Sequence, residues 1–228
     1  MAEIDLQDLC ERGQIELMET RYLDAANTLS RAEQAAWETR SFDTLARLYL
    51  PLQEARRQIR QRCGEGAVRM HLFPINPNQA IDPRQVLRDI PHGQLLVGGW
   101  GNAEPALRLR QLAHDQHLYV ETFLGSVRLT EEGKTVVEIL PTGDWKAQKL
   151  QLSGTEIPAD SSTGNAETYA SVMAIWERLH APFLAAAAAV ADPIQRMQAY
   201  RFTLQVDPAC ELAHQFLAEI ARNLSRKA

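Results

Sequence analysis

The segment with the clearest capacity for chemistry is Leu95-Leu96-Val97-Gly98-Gly99-Trp100-Gly101-Asn102. An apolar run, then glycines, then a helix start can hold an anion, because bare N–H groups and the helix dipole both face it. Gly99, Gly101 and Asn102 are the candidate ligand-binding residues. Pro105 and Ala106 stand where a dinucleotide fingerprint would place its last glycine, and no Gly-Lys-Ser/Thr follows as a phosphate-binding loop requires. The same residues also read as a tight strand-to-helix turn capped by Asn102. A second cluster is basic. Residues 51–69 hold five arginines and two glutamates, a local charge of +3. Arg56, Arg57 and Arg60 could dock an acidic partner, or form the solvated face of an amphipathic helix. His114 and His117 are three apart and could share a metal, yet nothing marks His71 or His92 as further ligands, so no metal and no cofactor is expected. The chain has no Gly-x-Ser-x-Gly elbow and no His-Glu-x-x-His pair, and Glu131-Glu132 read as turn residues before they read as an acid/base pair.

The elements that would position these residues follow from periodicity. Tyr22, Ala25, Leu29, Ala32 and Ala36 step by three and four, as do Leu45, Leu48, Leu52, Ala55 and Ile59. Each set puts one stripe on one helix face. Thr39-Arg40-Ser41 is a short polar connection that makes the two helices antiparallel, with Ser41 as cap and Pro51 as a kink or restart point. Past Gly64 the character changes. Val68, Met70 and Leu72 alternate with polar neighbours, Asp82-Pro83 opens a short helix, and residues 95–97 and 118–124 read as strands around a helix ending near Gln116. Residues 126–129 and 135–140 flank a Gly-containing loop as a hairpin, and 149–152 could add an edge strand. Residues 153–164 form a linker or exposed loop. Asn165 caps a long helix that Pro182 could bend or restart, and Asp192-Pro193 and Asp207-Pro208 begin the last two helices.

Gly13, Tyr22, Ala25, Leu29 and Ala32 fall where a 34-residue helical hairpin wants small, aromatic, small, bulky and small residues. Tyr200, Leu204, Asp207 and Pro208 fit the end of one such unit, and Leu217 and Ala218 the paired positions of the next. Both stretches resemble tetratricopeptide repeats. The departures are Glu16 and Trp37 in the first stretch and Arg196 and Thr203 in the second. The resemblance implies close-crossing helix pairs that present a groove to a peptide or a protein segment.

The whole chain bounds these readings. Its 228 residues suit one large domain or two small ones, and 45% hydrophobic with 23% charged residues is an ordinary globular composition. A net charge of -5 lacks the basic excess of a nucleic-acid binder. The acidic start and the absence of a long apolar run point away from a signal peptide or a membrane span, and Cys10, Cys63 and Cys210 suit a reducing, cytoplasmic location. The expected fold is α+β (mixed α/β), with repeat-like hairpins at both ends and a small central mixed sheet. Its segments are residues 1–66, 67–155 and 156–228. The expected function is a non-enzymatic adaptor or scaffold binding a protein or peptide, with no nucleic acid and no membrane. The alternative is a small-molecule enzyme or sensor holding an anion at the Gly-rich turn. The oligomeric state is left open.

Overall fold

The first stripe folds as its spacing requires. Helix α1 (Leu6–Met18) and helix α2 (Tyr22–Glu38) form an antiparallel hairpin. Gly13 lets them cross closely: a Cβ at this position would lie 2.6 Å from Leu29 Cγ. Two short connections follow the same geometry, with Thr20 at φ 61° and Arg40 at φ 54°, each in the left-handed conformation that ends a helix. Helix α3 (Phe42–Gly64) continues through Pro51. Ser41 directs its hydroxyl to Thr44 Oγ1 (3.0 Å). The computed structural model describes residues 6–64, 72–73, 82–98, 104–129, 135–139, 155–156 and 166–227.

These residues form two units, neither continuous in sequence. The first takes residues up to Ile59 together with Phe183–Leu204 and Pro208–Ala228, so both ends of the chain share one unit. Its core joins Leu29, Ala32, Leu45, Leu48, Tyr49 and Leu52 to Met197, Tyr200, Leu204, Ala213, Leu217 and Ala218. The last three helices are α6 (Ala166–Ala188), α7 (Pro193–Val206) and α8 (Glu211–Ser225). Arg201 on α7 reaches Glu33 on α2 at 2.6 Å and lies 4.6 Å from the Trp37 ring, while the Tyr49 hydroxyl donates to the same carboxylate at 3.0 Å. Burial, then the nearby Glu33 charge, pushes the Tyr49 phenol well up.

The second unit spans Arg60–Pro182 with Gln205–Asp207. Its strands are β1 (Leu72–Phe73), β2 (Gly93–Gly98), β3 (Val120–Leu129), β4 (Thr135–Ile139) and β5 (Thr155–Glu156), paired in that order. β1, β2 and β3 are parallel and β3, β4 and β5 antiparallel. Helix α4 (Pro83–Asp89) connects β1 to β2, and helix α5 (Glu104–Asp115) connects β2 to β3. The two pack through Val86, Leu87, Ile90, Leu109 and Ala113 against Val120. Asp82 caps α4 by accepting from the Arg84 N–H at 3.0 Å.

The α+β class expected from the sequence is corrected to a mostly helical one, in which the five-stranded sheet is the smaller part. The described chain is dominated by eight helices, two of them 23 residues long, against five strands of which two have only two residues. Much of the apolar burial comes from helix–helix packing in the first unit. The last helix also starts later than Asp207-Pro208, at Glu211, because the Asp207 carboxylate is taken up by other partners. Among the described residues no helix is long and apolar enough to cross a membrane.

Candidate functional site

The three arginines of the basic run lie on one helix but meet three different environments. Arg57 is exposed and binds Glu54 through two hydrogen bonds of 2.8 and 2.7 Å. That pairing raises the guanidinium further and lowers the Glu54 carboxyl. Arg56 is half-buried and donates to Ser30 Oγ and to His214 Nε2, both at 3.2 Å. His214 is fully buried and its other ring nitrogen donates to the Cys210 carbonyl at 2.8 Å.

Arg60 is buried, with 6% of its surface exposed, so its expected role in docking a partner at the surface is corrected. Its Nε and Nη2 grip the Glu121 carboxylate from β3 at 2.7 to 3.1 Å, and Nη2 also meets Asp207 Oδ1. The guanidinium stacks over Trp176 of α6 at 4.5 Å. Asp207 Oδ2 in turn lies 2.6 Å from His180 Nδ1. Burial by itself would discharge Arg60 and Asp207. For Arg60 it opposes the charge, yet Glu121 and Asp207 outweigh it and hold the cation charged. For Asp207 burial pushes the carboxyl up, and Arg60 and then His180 pull it down to about 2. Cys63, one turn after Arg60, is buried, and that burial followed by the Glu121 charge pushes its thiol well up. The whole arrangement is a buried ion-pair network that joins α3, β3, α6 and Asp207 within the second unit.

The exposed chemistry of the first unit lies elsewhere. Leu50 of α3 is 47% exposed, and with Ala218, Glu219, Arg222 and Asn223 of α8 and Arg226 at its C-terminal cap it lines an open groove of about 470 Å³. That volume lies within the range of about 300–1,000 Å³ common for binding clefts. The α8 positions 215, 218, 219, 222, 223 and 226 step by three and four, which puts them on one face. Leu212, 49% exposed, falls one turn earlier on the same stripe. Sequence reasoning passed over this face, because Leu50 and Arg222 come from helices far apart in the chain. The signal available was Leu50 itself, an apolar residue off the buried stripe of α3.

Gly99, Gly101 and Asn102, the candidate anion site, lie outside the described residues. The described strands run in sequence order across the sheet, so they show no reversal of the kind that opens a ligand crevice in parallel sheets. His114 is half-buried with Asp115 Oδ1 3.9 Å away, and His117 takes φ 53° beyond the helix end. No protein-family model, curated protein or solved structure matches this chain.

Proposed function

We propose that the chain is a non-enzymatic interaction protein that holds a peptide segment of a partner on the helical surface of its first unit. The observation that carries this reading is the groove between Leu50 and the Ala218–Arg226 face of α8. The unit already buries a complete apolar core, yet it leaves Leu50 and Leu212 about half exposed on that side. Covering one such leucine returns about 1–2 kcal/mol. The tetratricopeptide-like pattern of the hairpins is in keeping with this use of a helical surface. Selection of a displayed random-peptide library on the full chain, run in parallel on the L50D variant, tests the reading. Enrichment of peptides by the parent chain and its loss in L50D supports it. Peptides enriched equally by both chains, or by neither, would refute it.

A further inference from the structure

Resting on that reading, we infer that the segment held in the groove is acidic, with an aliphatic residue set beside its carboxylates. The charge distribution around the groove leads there. On the α3 side the charges are answered within the helix: Arg47 pairs with Asp43 at 3.0 Å and Arg57 with Glu54 at 2.7 Å. On the α8 side Arg222 and Arg226 are exposed, four residues apart on the groove face, and make no ion pair among the described residues. Asn223 adds amide donors between them, and Glu219 is the single acidic residue among the lining groups.

Arginines near a helix C-terminus gain from the helix dipole wherever they lie. Here they also rim a cleft whose other wall is an exposed leucine. A guanidinium fork suits a carboxylate, and two forks one turn apart suit two carboxylates on neighbouring residues of a ligand. Leu50 and Ala218 then take an aliphatic side chain, which supplies the apolar contact that a bare run of acids would lack. A basic segment would place its cations against Arg222 and Arg226 with only Glu219 to answer them.

The test reads the composition of the peptides selected on the full chain and repeats the selection on R222E/R226E. Both positions are exposed, and an unchanged circular dichroism melt confirms the variant's fold. The expected result is enrichment of Asp and Glu next to Leu, Ile or Met. Binding of a selected peptide should weaken about tenfold or more in R222E/R226E and fall as salt rises. Peptides that depend on Leu50 but show no acidic enrichment, or that bind R222E/R226E unchanged, overturn this inference and leave the groove reading standing. No peptide dependent on Leu50 overturns both.

Discussion

Both carboxylate oxygens of Glu121 receive hydrogen bonds from Arg60, a residue 61 positions earlier in the chain, and neither side chain has more than a tenth of its surface in water. A bidentate pair at such depth is strong only while it is complete. Replacing Arg60 by Met strands Glu121 and Asp207 as buried anions. The expected cost is about 3–5 kcal/mol of unfolding free energy at pH 7. Urea unfolding followed by tryptophan fluorescence reads it, because Trp176 is in contact with the lost guanidinium. A loss under 1 kcal/mol would show that the network is incidental to stability.

Asp207 ties that network to pH. Its carboxyl falls from an ordinary 3.8 to about 2: burial raises it, but Arg60 and His180 outweigh the burial. A folded value below the unfolded one means the stabilisation is fully present above 3.8 and is lost as the pH falls through about 2. About 2 kcal/mol should disappear over that window. D207N should be less stable than the parent at pH 7, and the gap should close as the pH approaches 2. A gap independent of pH would place the charge of Asp207 outside the stability of the unit.

Close packing of the first hairpin has its own test at Gly13. An added methyl would meet Leu29 Cγ at 2.6 Å and Cδ2 at 2.7 Å, and Leu29 is fully buried. Alanine in place of glycine favours a helix by about 1 kcal/mol, whereas overpacking a filled core costs about 1–3 kcal/mol. G13A should therefore lower the thermal midpoint and G13V should lower it more. In a double-mutant cycle, G13A with L29A should cost less than the sum of the two single changes.

Thiol chemistry should order the cysteines by burial. Cys63 and Cys210 are buried, and burial with the Glu121 charge pushes the Cys63 thiol well above 9.0. Cys10 is half-buried and also shifted upward, mainly by burial. Iodoacetamide labelling with mass spectrometry should modify Cys10 first and reach Cys63 only on unfolding. Early labelling of Cys63 would mean that the end of α3 opens in the native state.

What the sequence made legible was local. The 3-4 stripe of α2 buries Ala25, Leu29, Ala32 and Ala36, and that of α3 buries Leu45, Leu48, Leu52 and Ala55, as the spacing requires. Gly13 is a small residue where the helices cross closely, and Leu29 lies against it. Asp82-Pro83 marked a helix start that the Arg84 N–H satisfies. The long-range partners were hidden. Arg60 sits in a basic run that reads as a solvated face, and its acids arrive 61 and 147 residues later. Asp207 looked like a cap for the last helix, but the buried cation and His180 claim its oxygens and the helix begins at Glu211. The groove was equally hidden, since Leu50 and Arg222 become neighbours only through the shared core of the two chain ends.

Hydrogen–deuterium exchange of the full chain, with and without a library-selected peptide, tests the interaction reading most directly. Binding in the groove should slow exchange in α3 around Leu50 and across the Ala218–Arg226 face of α8, leaving residues 82–129 unchanged. Protection confined to residues 82–129, with none at Leu50 or on α8, would contradict it.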